Sequence, residues 1–550
     1  MSRSVRQFPQ SAVDLAVVGG GIHGLFAALE AAARGWRVAL FERDDFGSGL
    51  SFNHQRTVHG GLRALQSGQL GKTAQQIAER RAWALMAPHL LRPLPFLFPT
   101  DAALMRSRLA VGSALRVYDW VGRDRNIGVP AELHLPPGRM ASRAETLQLF
   151  PGLTDPSITG SAIWHDYQVR HPDRLNWLVA LAAERAGAVL FNHTDVVELV
   201  REGGQLAGVR VRRGASGEVA DVAAARVLLC AGAGTPGLFT RFGLRHPPLL
   251  VRASNLLLRR PALDLALASR GVSGRVLTAT PWSGHWLVGT FQSDAPVDTS
   301  SPGPSPDDID AMIDDANVAF PTLKVRRRDV VLVHSGLTPA VMRGRRAELL
   351  PDSRVIAHAA DGHAGVFSVI GVKFTTARLT ALDALRSMRL SGQRHHPDHP
   401  YDRGPQLLPH GTDDDADASL RAASMAANVT LDEDVHAHLI DWYGTEAADV
   451  VALSAAASRL QRLAPSTPVL DGEILYAIER SRAVRLGDAV LRRTRLGTAG
   501  HPGRVALDAA ADVMANIFGW SAEQRAAEIA DVERRYAVGP AKPAERSDGF

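Results

Sequence analysis

A glycine-rich turn between a short apolar strand and a small-residue helix at 14–33, alternating apolar and polar runs over 247–345, and helical patterning over 417–540 predict the class of this chain. It is α/β, with a Rossmann-like dinucleotide-binding domain, a mostly antiparallel sheet domain and an α-helical C-terminal domain. The turn reads Gly19-Gly-Gly-Ile-His-Gly24 after the run Asp-Leu-Ala-Val-Val. Gly19 permits the tight turn, Gly21 lets a pyrophosphate approach the backbone, and Gly24 lets the helix lie close to the strand. Ile22 and His23 complete the phosphate-facing loop. A second strand at 37–41 ends in Glu42, a carboxylate suited to accept hydrogen bonds from an adenosine ribose.

After Glu42 the chain runs Arg43-Asp-Asp-Phe-Gly-Ser-Gly-Leu-Ser-Phe-Asn-His-Gln-Arg-Thr-Val-His-Gly-Gly-Leu-Arg63. This resembles the segment after the second strand in the FAD-dependent glycerol-3-phosphate dehydrogenase family: an acid, a Thr/Ser-rich loop, a basic residue, then His-Gly-Gly-Leu-Arg. The resemblance implies bound FAD, with Arg43, Ser51, Arg56, His59, Gly60, Gly61 and Leu62 at the cofactor. Such flavoproteins contact adenine through main-chain groups of the segment at 194–199, which adds Val196 and Val197. Ala231 and Gly232 follow a strand at 226–229 and read as holding the cofactor's phosphate side. The alternative, a second nucleotide fold, is disfavoured because 234–237 shows no continuing helix closed by an acid, so NAD(P) is not expected.

Late in the chain, Gly365-Val-Phe-Ser-Val-Ile-Gly-Val-Lys-Phe-Thr-Thr-Ala-Arg378 resembles the family's Gly-Gly-Lys-Leu-Thr-Thr-Tyr-Arg signature. A strand ending at Gly371 and a helix starting near Thr375 would aim a positive helix end at the flavin, with Val372, Lys373 and Phe374 between them. Met86-Ala-Pro-His-Leu90, His171-Pro-Asp-Arg174 and the arginine-rich run at 480–497 also resemble the family, so the likeness covers nearly the whole chain. The expected layout is an oxidoreductase region at 1–390, a linker at 391–416, a helical domain at 417–540 and a tail at 541–550. Within the first region, 12–65, 160–245 and 350–390 bind FAD, and 66–159 and 246–349 form the substrate side. Ser305 is expected to cap a helix running toward Phe320.

The 550 residues, 45% hydrophobic and 22% charged, describe an ordinary globular protein of several domains. The single cysteine, Cys230, excludes an intramolecular disulfide and a cysteine-based zinc site, and it reads as a buried strand residue. No secretory h-region and no run of ~18 apolar residues is present, so a cytoplasmic setting is expected. The net charge of +5 favours anionic partners. Its basic residues are scattered without a recognition motif, which argues against nucleic acid. At 103–125, Leu104, Val111, Leu115 and Tyr118 fall at helical spacing opposite Arg106, Arg108, Arg116, Arg123 and Arg125. This pattern suits a solvated arginine face or a basic amphipathic helix in a membrane interface, and some members of the resembled family are peripheral membrane enzymes that reduce quinone. The His/Pro-rich stretch at 393–400 reads as an exposed linker, and no metal is expected.

Oxidising a secondary alcohol requires a hydride acceptor, a base and cations that hold the substrate. The resemblance implies glycerol 3-phosphate as substrate, quinone or another non-nicotinamide acceptor, and Arg63 and Lys373 as catalytic cations, with Arg63 also touching substrate. Three family positions differ: Ala64 replaces a Tyr, Asn255 a His, and Thr338 the arginine directed at the substrate. Threonine cannot supply a bidentate cation to a phosphate. Arg343, with Arg345 and Arg346, is the candidate replacement, and His334 the candidate base. Asn255 and Thr338 remain substrate-side candidates. A changed substrate, such as another polyol, a hydroxy acid or an amine, and a flavin-binding protein without turnover are the competing readings. His54 sits in the loop where some amine-oxidising flavoproteins attach FAD covalently.

Overall fold

The structure is a computed structural model that describes residues 6–538 apart from 67, 152, 154, 215, 273, 301–302 and 391–406. Its centre is a six-stranded sheet in the order Arg354–Ala357, Val366–Ile370, Val227–Leu229, Leu15–Val18, Val38–Phe41, Val189–Phe191. All neighbours are parallel except the edge strand Arg354–Ala357. Buried on both faces, the inner strands carry unbroken apolar runs, as parallel strands under helices must. Helix Ile22–Ala32 packs between Pro172–Arg185 and Ala377–Ser387, burying Leu25, Phe26 and Leu178 in one core.

A ten-stranded sheet lies beside this domain. Its long strands Leu249–Leu258 and Val330–Arg343 pair antiparallel, and Ala266–Arg270 against Leu91–Thr100 is its parallel contact. The mostly antiparallel expectation for 247–345 therefore holds, and the sheet also recruits Leu91–Thr100 and Gly160–Val169 from the segments read as helical or left unassigned. Leu91–Thr100 was hidden by Pro93, Pro95 and Pro99, which remove ladder N–H groups. Helix Pro306–Ala319 starts on Ser305, whose hydroxyl accepts from Asp308 N–H while the Asp308 carboxylate returns to Ser305.

The C-terminal helices run from Asp413–Ala426, capped by Thr412, to Ala522–Tyr536. The His/Pro stretch at 393–400 lies outside the described residues. This domain shares a core with the sheet through Leu257, Trp282, Leu287 and Leu332. It is also clamped to the nucleotide domain. The Asp45 carboxylate accepts from Arg492 Nε at 2.7 Å and Arg493 Nη2 at 2.6 Å, while Asp488 accepts from Arg492 Nη2 at 2.6 Å and pairs with His193 Nε2 at 2.8 Å. Asp45, His193 and Asp488 bring their oxygen and nitrogen atoms within 4.8 Å of one another, yet both carboxylates are already committed to arginines. The cluster ties the C-terminal helices to the nucleotide domain through paired charges.

Candidate active site

The glycine turn has the geometry its sequence implies. Gly19 has φ 109°, and a Cβ there would lie 2.5 Å from the Cys230 carbonyl oxygen. A Cβ on Gly24 would sit 1.9 Å from the Gly19 oxygen. Gly21, by contrast, has only Ser51 Oγ near its open face, at 3.2 Å, and Ile22 N–H donates to that hydroxyl at 2.9 Å. No side chain caps the helix at Gly21, which leaves N–H groups for a phosphate.

Glu42 accepts from Gly20 N–H at 2.6 Å and Asp44 N–H at 2.8 Å, and burial raises its carboxyl above the usual range. Arg43 is exposed and turned to Asp44. Thr194 N–H donates to the Glu42 carbonyl at 2.7 Å, which starts the strand bearing buried Val196 and half-buried Val197 at the ribose end. Ala231 and Gly232 follow Cys230 directly, with Ala231 Cα 3.0 Å from the position of a Gly19 Cβ. A short helix, Thr235–Phe242, does follow this turn, contrary to expectation; Pro236 at its first turn had masked it.

The late segment folds onto the early one. His59 N–H donates to Thr375 Oγ1 at 3.1 Å, and the Gly371 backbone lies against the His23 ring. Phe374 stacks between His54 at 4.5 Å and Trp83 at 5.1 Å. Val372 N–H is held by Ser353, and the helix begins at Ala377, two residues beyond Thr375. Lys373 lies 3.5 Å from Asp352, which also binds Lys72. Leu62 opens the short helix Leu62–Gln66; the side chain of Arg63 lies outside the described residues.

Asp166 organises the His-Gly-Gly motif and was not legible in the sequence. Its carboxylate accepts from Gly60 N–H at 2.8 Å and Arg80 Nη1 at 2.5 Å, and lies 3.1 Å from His59 Nδ1. Burial opposes its ionisation, but His59, Arg80 and Gly60 outweigh burial and hold the carboxyl below its usual range. A Cβ on Gly60 would collide with Tyr118 and Arg80, so this glycine is a packing requirement. Gly61 has φ 83°.

On the sheet, Asn255 and His334 are directly opposite, and Asn255 Oδ1 accepts from Thr290 Oγ1 at 3.0 Å. His334 Nε2 accepts from Arg56 Nη2 at 3.1 Å. Burial first, then Arg56, Arg535 and His54, keep its imidazole neutral by lowering its pKa well below the usual value. Thr338 is buried four residues along, whereas Arg343 points into solvent at the strand's end and pairs with Glu348. Nine residues of strand put it roughly 30 Å from His334, so Arg343 is not brought to this site. Arg345 and Arg346 share that exposed hairpin.

The glycine turn, the Glu42 carboxylate that ends the second strand and the late segment packed against His23 and His59 form a dinucleotide-type binding region. Residues 14–384 match the family model described as FAD dependent oxidoreductase, and residues 410–525 that of the C-terminal domain of alpha-glycerophosphate oxidase; the chain belongs to this FAD-dependent oxidoreductase family. It is 32% identical over 542 residues to the glycerol-3-phosphate dehydrogenase of Mycobacterium leprae, covering 96% of this chain and 89% of that one. The Synechocystis glycerol-3-phosphate dehydrogenase is 29% identical over 94% of this chain and 96% of its own. In fold, the chain resembles the glycerol-3-phosphate dehydrogenase from Bacillus halodurans solved with FAD, with TM-score 0.73, 22% identity, and 98% and 97% of the two chains covered. The open face at Gly21, the buried Glu42 carboxylate and the uncapped helix fit FAD, the family's cofactor.

Proposed function

We propose that this protein oxidises sn-glycerol 3-phosphate to dihydroxyacetone phosphate and passes the electrons to quinone or another non-nicotinamide acceptor. The observation that carries this reading is the junction of His59 with Thr375, which brings the early and the late family-like segments into one site. FAD, when bound there, would supply the hydride acceptor. Gly21, Ile22 and Ser51 would hold its phosphates, Glu42 its ribose, and the Gly371–Thr375 segment its ring end. The substrate hydroxyl proton has two candidate acceptors. His334 is neutral, but its Nε2 lone pair already receives the Arg56 N–H. His59 is the better oriented of the two, because Asp166 fixes its Nδ1 side and its ring is half-exposed. Lys373, half-exposed beside Asp352, and Arg63 are the cations assigned to the substrate side.

Anaerobic titration of the holoenzyme tests the reading: glycerol 3-phosphate should bleach the flavin absorbance. Bleaching only by other alcohols or amines would favour the altered-substrate reading suggested by Ala64, Asn255 and Thr338. No bleaching by a broad panel would favour a non-catalytic flavoprotein.

A specific observation also supports contact with a membrane surface. Leu104, Met105, Leu109 and Trp120 are exposed large apolar side chains around helix Arg108–Val121, with Arg116 and Arg123 beside them. No helix among the described residues is long and apolar enough to cross a membrane, so this reading is one of lying on the surface.

A further inference from the structure

Loop 52–56 and helix Ala522–Tyr536 meet at Phe52, and each brings an arginine there. Arg56 is buried, and among the described residues it has no ion-pair partner: its guanidinium lies 3.6 Å over the Trp282 ring, Nη2 donates to His334, Nη1 reaches the Phe52 carbonyl at 3.4 Å, and Nε meets no acceptor. Arg535, from the helix Ala522–Tyr536 that packs on strand Val330–Arg343, lies 5.3 Å over the ring of the same Phe52. Its buried Nη2 also lacks a partner.

The two histidines beside them add to the surplus. His334 Nε2 accepts from Arg56, so its proton resides on Nδ1, which is buried and unpartnered. His54 Nδ1 accepts from Arg56 N–H, so His54 carries its proton on Nε2, again buried and unpartnered. Among the described residues, four N–H donors thus lack an acceptor, against one acceptor in this loop without a donor, Asn53 Oδ1. Asp173 acts on Arg56 only through space, and Asp45 and Asp488 are committed to Arg492 and Arg493. Buried donors without acceptors are costly, and two arginines without carboxylates are matched by a dianion. A phosphate monoester, near −2 at neutral pH, has that charge and the acceptor oxygens.

We infer that Arg56 and Arg535, with the N–H groups of His54 and His334, form a phosphate-binding site completed by the C-terminal domain. Assigning its occupant to the phosphate end of the substrate rests on the proposed reaction; the site itself does not. Calorimetric titration of the FAD-loaded enzyme with inorganic phosphate tests it, since the cofactor's own diphosphate is already in place. Phosphate should bind the wild type and bind Arg535→Gln at least tenfold more weakly, with Arg535→Lys between them because it keeps charge but not the fork. Phosphate competitive with glycerol 3-phosphate identifies the substrate's phosphate as the natural occupant, and non-competitive phosphate identifies a free anion; either retains the site. Failure of the wild type to bind phosphate, equal affinity in Arg535→Gln, or loss of FAD from Arg535→Gln would overturn it. If glycerol 3-phosphate fails to bleach the flavin while phosphate binding still depends on Arg535, the reaction falls and the site stands.

Discussion

At the scale of single residues, some positions have a backbone geometry that admits one side chain. Gly24 is such a position, and Gly24→Ala should give protein with little or no FAD, measured as flavin absorbance per chain, because its Cβ would meet the Gly19 carbonyl at 1.9 Å. Asp166 was invisible beforehand, since a buried carboxylate serving Gly60 and Arg80 across 106 and 86 residues leaves no local pattern. Asp166→Asn would leave Arg80 buried without its counter-charge. A destabilisation of about 3–5 kcal/mol is expected in denaturant unfolding, together with a fall in activity from the misoriented His59. Arg535 was equally hidden: in the sequence it is one of several charged residues near the end of an amphipathic helix. Its place in the proposed site arises only where helix Ala522–Tyr536 sets it over the Phe52 ring.

Helix Arg108–Val121 shows how periodicity reveals an element but not always what its faces meet. Leu115 and Tyr118 point inward as their spacing implies, and Ser107 caps the helix through Ala110 N–H. Leu104, placed by spacing on the same apolar side, belongs instead to a separate short turn and stands in solvent with Met105. Leu109, Val117 and Trp120 form a second apolar face, turned outward. Fourteen residues span about 21 Å and carry arginines, so the helix suits the plane of an interface. Flotation with anionic liposomes should carry the enzyme upward, and Leu109→Glu combined with Trp120→Glu should reduce partitioning on the order of 100-fold. Equal flotation of both proteins would remove this face from consideration.

Across the whole molecule, the nucleotide-binding domain, the mostly antiparallel sheet and the helical C-terminal domain were legible because each has its own hydrophobic pattern. The strand order and the joint between domains were not, because they depend on pairs hundreds of residues apart. The His193–Asp488 contact in that joint makes a pH-dependent prediction. Burial works against protonated His193, but the hydrogen bond and charge of Asp488 outweigh it and raise the imidazole pKa above its usual value. Its contribution is therefore full below about pH 6.5 and is lost as pH rises through the raised folded value. Burial likewise opposes ionised Asp488, yet His193 and Arg492 hold that carboxyl low, so it stays charged across this window. Thermal unfolding of the wild type should exceed that of His193→Gln by about 1–2 kcal/mol at pH 6, with the margin shrinking toward pH 9. A margin that grows with pH would contradict the assignment.

The same joint imposes an order on biosynthesis. Asp45 emerges from the ribosome 448 residues before Arg493, the cation it finally grips. At ordinary elongation rates that is roughly 20 to 90 s. During this interval the carboxylate has Asn192 Nδ2 within reach but neither arginine. The nucleotide-binding half therefore gains its last ion pairs only when the chain's far end has been made.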